Sequence, residues 1–184
     1  MRILKLAALV SALAFSAQAQ EEGSTLADQF PVAQEAEPQE VVRETYGTWE
    51  IRCVGETDTC FMYQLLINES GTPVAELSII KLPVGSEAVA GATTIVPLGT
   101  VLTKGLVIQV DDNEATRYPF NWCVAPGCFS RFGLTDLLVN SMKSGTEIKV
   151  IVFSVSNLNE PVIVSASLEG FTAAFDALPH QAGN

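Results

Sequence analysis

Gly47-Thr48-Trp49-Glu50-Ile51-Arg52-Cys53 alternates apolar and polar side chains at a period of two. Successive side chains of a strand point to opposite faces, so this stretch reads as a β-strand with one face buried and one wet. The pattern recurs along the chain. Residues 60–67 make a second strand candidate and 74–82 a third, with Gly71-Thr72-Pro73 as the turn before it. Residues 93–96 are a short apolar run stopped by Pro97-Leu98-Gly99, and 106–110 form a further strand entered after Gly105. Asp111-Asp112-Asn113-Glu114 reads as a hairpin turn, with 115–120 as the return strand. Residues 148–155 and 162–168 form a last pair, joined through Ser156-Asn157-Leu158-Asn159. Many short strands at this spacing, with turn residues between them, predict an all-β sandwich or barrel.

One helix fits between the strands. Thr135 can cap it, and Asp136 suits the dipole of its first turn. Leu137, Leu138 and Met142 supply an apolar face, Lys143 sits near the end and Gly145 just beyond. A second short helical turn is expected in residues 172–178.

The first residues carry a different signal. Met1-Arg2-Ile3-Leu4-Lys5 holds two cations and no acid, and an apolar run follows from 6 to 15, interrupted only by Ser11. Ala17-Gln18-Ala19 then places small residues at the −3 and −1 positions of a cleavage site. The apolar run is too short for a bilayer, which takes roughly 20 residues. Residues 1–19 are therefore expected to be a secretory signal peptide cleaved after Ala19, with the mature chain periplasmic or secreted. No later stretch of the mature chain has the length of a transmembrane segment.

Removing residues 1–19 takes Arg2 and Lys5 and no acid, so Lys+Arg falls from 10 to 8 against 21 Asp+Glu and the net charge moves from −11 to −13. Nucleic-acid binding depends on Lys and Arg neutralising phosphates, so this charge excludes a nucleic-acid partner. It also opposes docking on anionic lipid. Residues 20–44 read as an acidic, flexible tether: Glu21, Glu22, Asp28, Glu35, Glu37 and Glu40 with Pro31 and Pro38, and sparse aperiodic apolar residues. The domain proper is expected over 45–178, with a flexible tail at 179–184.

Four cysteines, Cys53, Cys60, Cys123 and Cys128, allow three connectivities. In an exported protein an even count implies disulfides. The spacing favours two local bridges, Cys53–Cys60 between neighbouring strands and Cys123–Cys128 across the Val124-Ala125-Pro126-Gly127 loop. Zinc would call for closer pairs or histidine ligands, and a redox pair for Cys-x-x-Cys; neither is present.

No catalytic constellation is legible. The only histidine, His180, stands four residues from the end, where a general base is poorly held. No phosphate-binding or dinucleotide motif occurs, so neither cofactor nor metal is expected. Asp111, Asp112 and Glu114 offer oxygen ligands for Ca²⁺, but a solvated hairpin turn explains them equally. Trp49 and Phe120 read as core residues of strands. Trp122, Phe129 and Arg131, beside the second cysteine pair and with Phe132 nearby, are the candidate recognition residues.

Several segments together resemble the invasion associated locus B family of alphaproteobacterial envelope proteins. They are Trp49-Glu50-Ile51-Arg52-Cys53 with Cys60 and Gln64, Ile95-Val96-Pro97-Leu98-Gly99, and Gly105-Leu106-Val107-Ile108-Gln109-Val110-Asp111. Pro119-Phe120-Asn121-Trp122-Cys123 with Gly127-Cys128 is the most specific, and Pro161-Val162, Ser165-Ala166-Ser167-Leu168 and Gly170-Phe171-Thr172-Ala173-Ala174 close the likeness. The resemblance implies an immunoglobulin-like antiparallel β-sandwich without enzymatic activity, linked in the namesake pathogen to invasion of host cells. The expected role is interaction with an unidentified envelope or host protein. A periplasmic carboxylate-based hydrolase, with two facing acids in a cleft, and a small-ligand or Ca²⁺-binding protein are the alternatives.

Overall fold

The structure, a computed structural model, describes residues 39–55, 59–68 and 70–181. The expected signal peptide and residues 20–38 of the expected tether lie outside the described residues.

Among the described residues, eleven strands form two antiparallel sheets. Five of them meander in chain order across most of the larger sheet: β1 (Glu40–Tyr46), β2 (Trp49–Val54), β3 (Cys60–Ile67), β4 (Pro73–Lys81) and β5 (Ala90–Val96). The chain then crosses, through a single 3-10 turn at Leu102–Lys104, to β6 (Leu106–Val110) and β7 (Thr116–Tyr118) of the second sheet. It returns to the first sheet as the hairpin β8 (Trp122–Val124) and β9 (Gly127–Leu134), with β9 pairing beside β5. Helix α1 (Asp136–Ser144) leads back to β10 (Glu147–Ser154) and β11 (Asn157–Ser167), and α2 (Phe171–Ala177) follows. The sheet orders are β1-β2-β3-β4-β5-β9-β8 and β11-β10-β6-β7, and the expected antiparallel sandwich with two short helices is present.

Alternation decides which side chains meet between the sheets. Trp49, Ile51 and Cys53 of β2, Met62 and Leu66 of β3 and Leu77 and Ile79 of β4 are buried, facing Leu106, Ile108, Ile148, Val150 and Val164 of the other sheet. Trp49 is wholly buried, donates Nε1–H to the Ser167 carbonyl at 2.9 Å, and meets Phe171 edge to face at 5.4 Å. Truncating such a side chain to Ala costs about 3–5 kcal/mol, because a cavity is left where the ring stood. Gln64 is the buried polar counterpart: its amide donates to Thr48 Oγ1 at 2.6 Å and to the Ser167 carbonyl at 3.1 Å, tying β3 to β11 across the sandwich.

Helix α1 starts as expected, with Thr135 Oγ1 accepting from the Leu138 N–H at 3.3 Å. Its buried residues are Val139 and Met142, whereas Leu137 is 83% exposed and takes no part in the apolar face. At 100° per residue Val139, not Leu137, shares a face with Met142. Lys143 of α1 pairs with Asp176 of α2 at 2.7 Å.

Strand β5 begins at Ala90 rather than 93, and β11 at Asn157 rather than 162, so Asn157-Leu158-Asn159 of the expected connection belong to the strand. Three further differences lie outside the expected strands. Residues 40–44 of the expected tether belong to β1, which pairs with β2 from Glu40↔Val54 to Tyr46↔Trp49. Its side chains are almost all exposed, so it is held chiefly by backbone pairing, with the Glu40–Arg52 ion pair and the partly buried Tyr46, and no burial period betrays it. The second is β9, eight residues read as a bridged loop and recognition edge. The third is the tail: His180 bridges Lys81, the Gln181 N–H donates to the Lys81 carbonyl at 3.0 Å, and Gln181 Nε2–H to the Cys60 carbonyl at 3.0 Å. Residues 182–184 lie outside the described residues.

Candidate functional site

The larger sheet turns one face to the core and one outward, and the outward face is not the polar surface expected of a solvated sheet. Register arranges its side chains in ranks across the strands. One rank runs Glu50↔Tyr63, Tyr63↔Ser78, Ser78↔Thr93 and Thr93↔Arg131. On one side of it Arg52↔Phe61 is followed by Ile80↔Gly91 and Gly91↔Gly133. On the other Glu76↔Ile95 leads to Ile95↔Phe129 and Phe129↔Trp122. The outer two ranks are largely apolar and the middle one polar. Ser78, Thr93 and the two glycines are short, so the ranks enclose a groove of about 720 Å³, with Phe61 and Ile80 on one wall and Ile95, Phe129 and Trp122 on the other. A smaller depression of about 370 Å³ shares Glu76 and Ile95 with it and continues toward Leu98 and Pro126.

The three recognition residues expected from the sequence meet at one end of this groove. Trp122 stacks on Phe129 with ring centroids 5.3 Å apart and planes 15° from parallel. The Arg131 guanidinium carbon stands 5.8 Å from the Trp122 ring, within cation–π range. Arg131 makes no ion pair among the described residues, whereas Arg52 at the opposite end is held by Glu50 at 2.7 Å and Glu40 at 3.5 Å and lies 3.5 Å over the Tyr63 ring. Phe132 goes the other way: it is 9% exposed and stacks on Tyr118 at 4.0 Å between the sheets. As neighbours on one strand, Arg131 and Phe132 must face opposite sides.

The local sequence explains the rigidity of this end. Cys123 and Cys128 are register partners with Cα atoms 4.0 Å apart and are bridged. Gly127 has φ 155°, and a Cβ there would come within 2.4 Å of the Val96 carbonyl, so the hairpin reaches β5 only with glycine. Ser130 Oγ donates to the Pro119 carbonyl at 2.8 Å, and Asn121 Oδ1 accepts from the Arg131 N–H at 2.7 Å. The other bridge, Cys53–Cys60, also joins register partners, but within the core.

Sequence reasoning missed Tyr63, Ser78, Thr93, Phe61 and Ile80. One signal was available: Phe61, Leu65 and Ile67 alternate with Met62 and Leu66, so β3 is apolar on both faces. Burial, followed by the charge of Glu76, pushes the Tyr63 phenol above its ordinary value. The phenol is therefore a hydrogen-bond donor throughout the neutral range.

Two carboxylates are held by specific partners. The Thr146 hydroxyl and the Glu147 and Thr146 N–H groups hold the Asp111 carboxyl below the usual carboxylate range, and Lys143 does the same to Asp176. Asp111 is thus committed to Thr146 at 2.6 Å and Glu147 at 3.0 Å. Among the described residues no group of three or more His, Cys, Asp or Glu side chains is placed to hold a metal ion. His180 Nδ1 lies 2.7 Å from the Leu82 carbonyl.

Comparison with known proteins gives a consistent set of relatives. A family model described as "Invasion associated locus B (IalB) protein" matches residues 49–179. Invasion protein B homologs from Brucella abortus strain 2308 and from Brucella abortus biovar 1 strain 9-941 are each 29% identical over 140 residues, covering 74% of this chain and 79% of theirs. The crystal structure of invasion associated protein b from Bartonella henselae superposes with a TM-score of 0.62 at 26% identity, over 73% of this chain and 94% of that one.

Proposed function

Because this chain belongs to the invasion associated locus B family, we propose that it is an exported, non-enzymatic protein of the periplasm or cell exterior that acts by protein–protein interaction through the outward face of its larger sheet. The observation that carries this reading is the convergence of Trp122, Phe129 and Arg131 on a bridged hairpin at the end of an open aromatic groove. Exposed aromatic and arginine side chains on a rigid support are the residue types that dominate binding energy in interfaces. The names of its relatives support an association with host-cell invasion.

In-cell photo-crosslinking tests the proposal. A crosslinker at Val124, 49% exposed beside the groove, is compared with one at Ile163, 53% exposed on the other sheet. One envelope or host protein captured from position 124, lost on combined Trp122→Ala and Arg131→Ala substitution and absent from position 163, supports the reading. Equal capture from both positions, or none, overturns it. Amino-terminal sequencing of the mature protein from cell fractions tests export, with Gln20 the expected first residue.

A further inference from the structure

The groove's middle rank points to what its partner presents. From Ser78 to Arg131 the rank crosses β4, β5 and β9, about 10 Å at the usual strand spacing. Its short members are hydroxyls: Ser78 Oγ reaches only the Thr93 carbonyl, at 3.4 Å, and the Thr93 hydroxyl has no hydrogen-bond partner among the described residues. The rank ends on the guanidinium of Arg131, which has no carboxylate partner among the described residues. Aromatic and aliphatic walls flank it. From this we infer that the groove is a binding site for a carboxylate-bearing sugar, with the carboxylate on Arg131, ring hydroxyls on Thr93 and Ser78, and the ligand's C–H faces against Phe129 and Trp122. The inference rests on the reading that this face is the binding face, and it names the chemical group recognised there.

Three features select this ligand class. A lipid tail laid in the groove would strip water from the Thr93 hydroxyl and leave it without a partner, an uncompensated loss, and would leave Ser78 only its long bond to the Thr93 carbonyl. A neutral sugar would leave the guanidinium unanswered, although an Arg–carboxylate pair is among the stronger directional contacts available. Cationic ligands meet repulsion from Arg131 at this end; Glu40 and Glu50 at the far end hold Arg52, and Glu76, which lines the groove without an ion pair among the described residues, stands on β4, two strands away from Arg131. The groove is open to water, as suits a hydroxylated ligand that sheds only part of its hydration.

Calorimetry and ligand-observed NMR on the mature, disulfide-bonded protein test this. The probes are sialyllactose, as found on host glycans, and digalacturonate, as found in envelope polysaccharides, each beside a neutral counterpart, lactose and the digalacturonate methyl ester. Saturable binding of either acid sugar, weakened about tenfold or more in its neutral counterpart and in Arg131→Ala, is expected. Thr93→Val should weaken it several-fold, and Leu137→Ala, on the exposed side of α1, should leave it unchanged. Which acid sugar binds more tightly distinguishes a host source from an envelope one. Equal binding of acid and neutral sugars, binding indifferent to Arg131→Ala, or no binding of any probe overturns the inference. If crosslinking from position 124 still captures an unglycosylated protein, the sugar assignment falls while the interaction reading stands; if both fail, the face itself is wrong.

Discussion

The ring of Trp122 lies over that of Phe129, its register partner on the neighbouring strand, with centroids 5.3 Å apart. The pair is one residue removed on each strand from the Cys123–Cys128 bridge. The bridge closes a short loop and should stabilise the fold modestly, by about 2 kcal/mol. Its larger effect is on order at the groove. Replacing both Cys123 and Cys128 by Ser should lower stability by about that amount in a denaturant titration and weaken partner capture far more. Replacing Cys53 and Cys60 by Ala should cost more stability, because both are buried in the core, and leave capture by the folded protein intact. Equal effects of the two replacements on capture would refute this division of roles.

Gln64 is 7% exposed and bonds to Thr48 and the Ser167 carbonyl from a different sheet. Gln64→Ala removes those bonds and leaves a cavity, so unfolding in urea should show a loss of about 1–3 kcal/mol. A change below a few tenths of a kcal/mol would mean that water replaces the amide at no cost.

Thr94 presents the opposite case. Its hydroxyl is buried and has no partner among the described residues, yet the residue sits fully enclosed on β5. Valine has nearly the same shape and suits a strand. Thr94→Val should therefore raise the unfolding free energy by about 1 kcal/mol. A destabilised variant would show that the hydroxyl does find a partner in solution.

Asp111 sets part of the acid limb of stability. Its folded pKa is depressed by Thr146 and Glu147. Its contribution is therefore fully present above the unfolded aspartate value, near 3.9, and is lost as pH falls through the lower folded value. Asp176, depressed by Lys143, acts in the same sense. Thermal melts from neutral pH down to about pH 2 should show a shallower acid decline for Asp111→Asn than for the unmodified protein. Parallel curves would exclude the linkage.

Much of this was open to inspection in the chain itself. The period-two pattern from Trp49 to Cys53 located β2, and the same logic located β3, β4 and β6 to within a residue or so. Thr135 and Asp136 marked the start of α1, and the cysteine spacing indicated both bridges. These are local signals: a buried face imposes a period, a cap satisfies nearby N–H groups, and a short loop holds its two thiols close together.

Tertiary structure alone decided the rest. Strand β1 has no buried face, so its membership depends on the hydrogen-bonding edge that β2 offers. Strand β9 joins β5 across the intervening residues 97–126 and a round trip through the second sheet, and no local pattern names that neighbour. The groove follows from the same long-range pairing. Tyr63, Ser78, Thr93 and Arg131 come from four strands and line up only because three registers agree, and a one-residue slip in any of them would turn a side chain to the core. What the sequence by itself determined was the alternation within each strand, since burial acts on adjacent residues; which strands lie side by side, and hence which outward side chains share a surface, was settled only by pairing between distant segments.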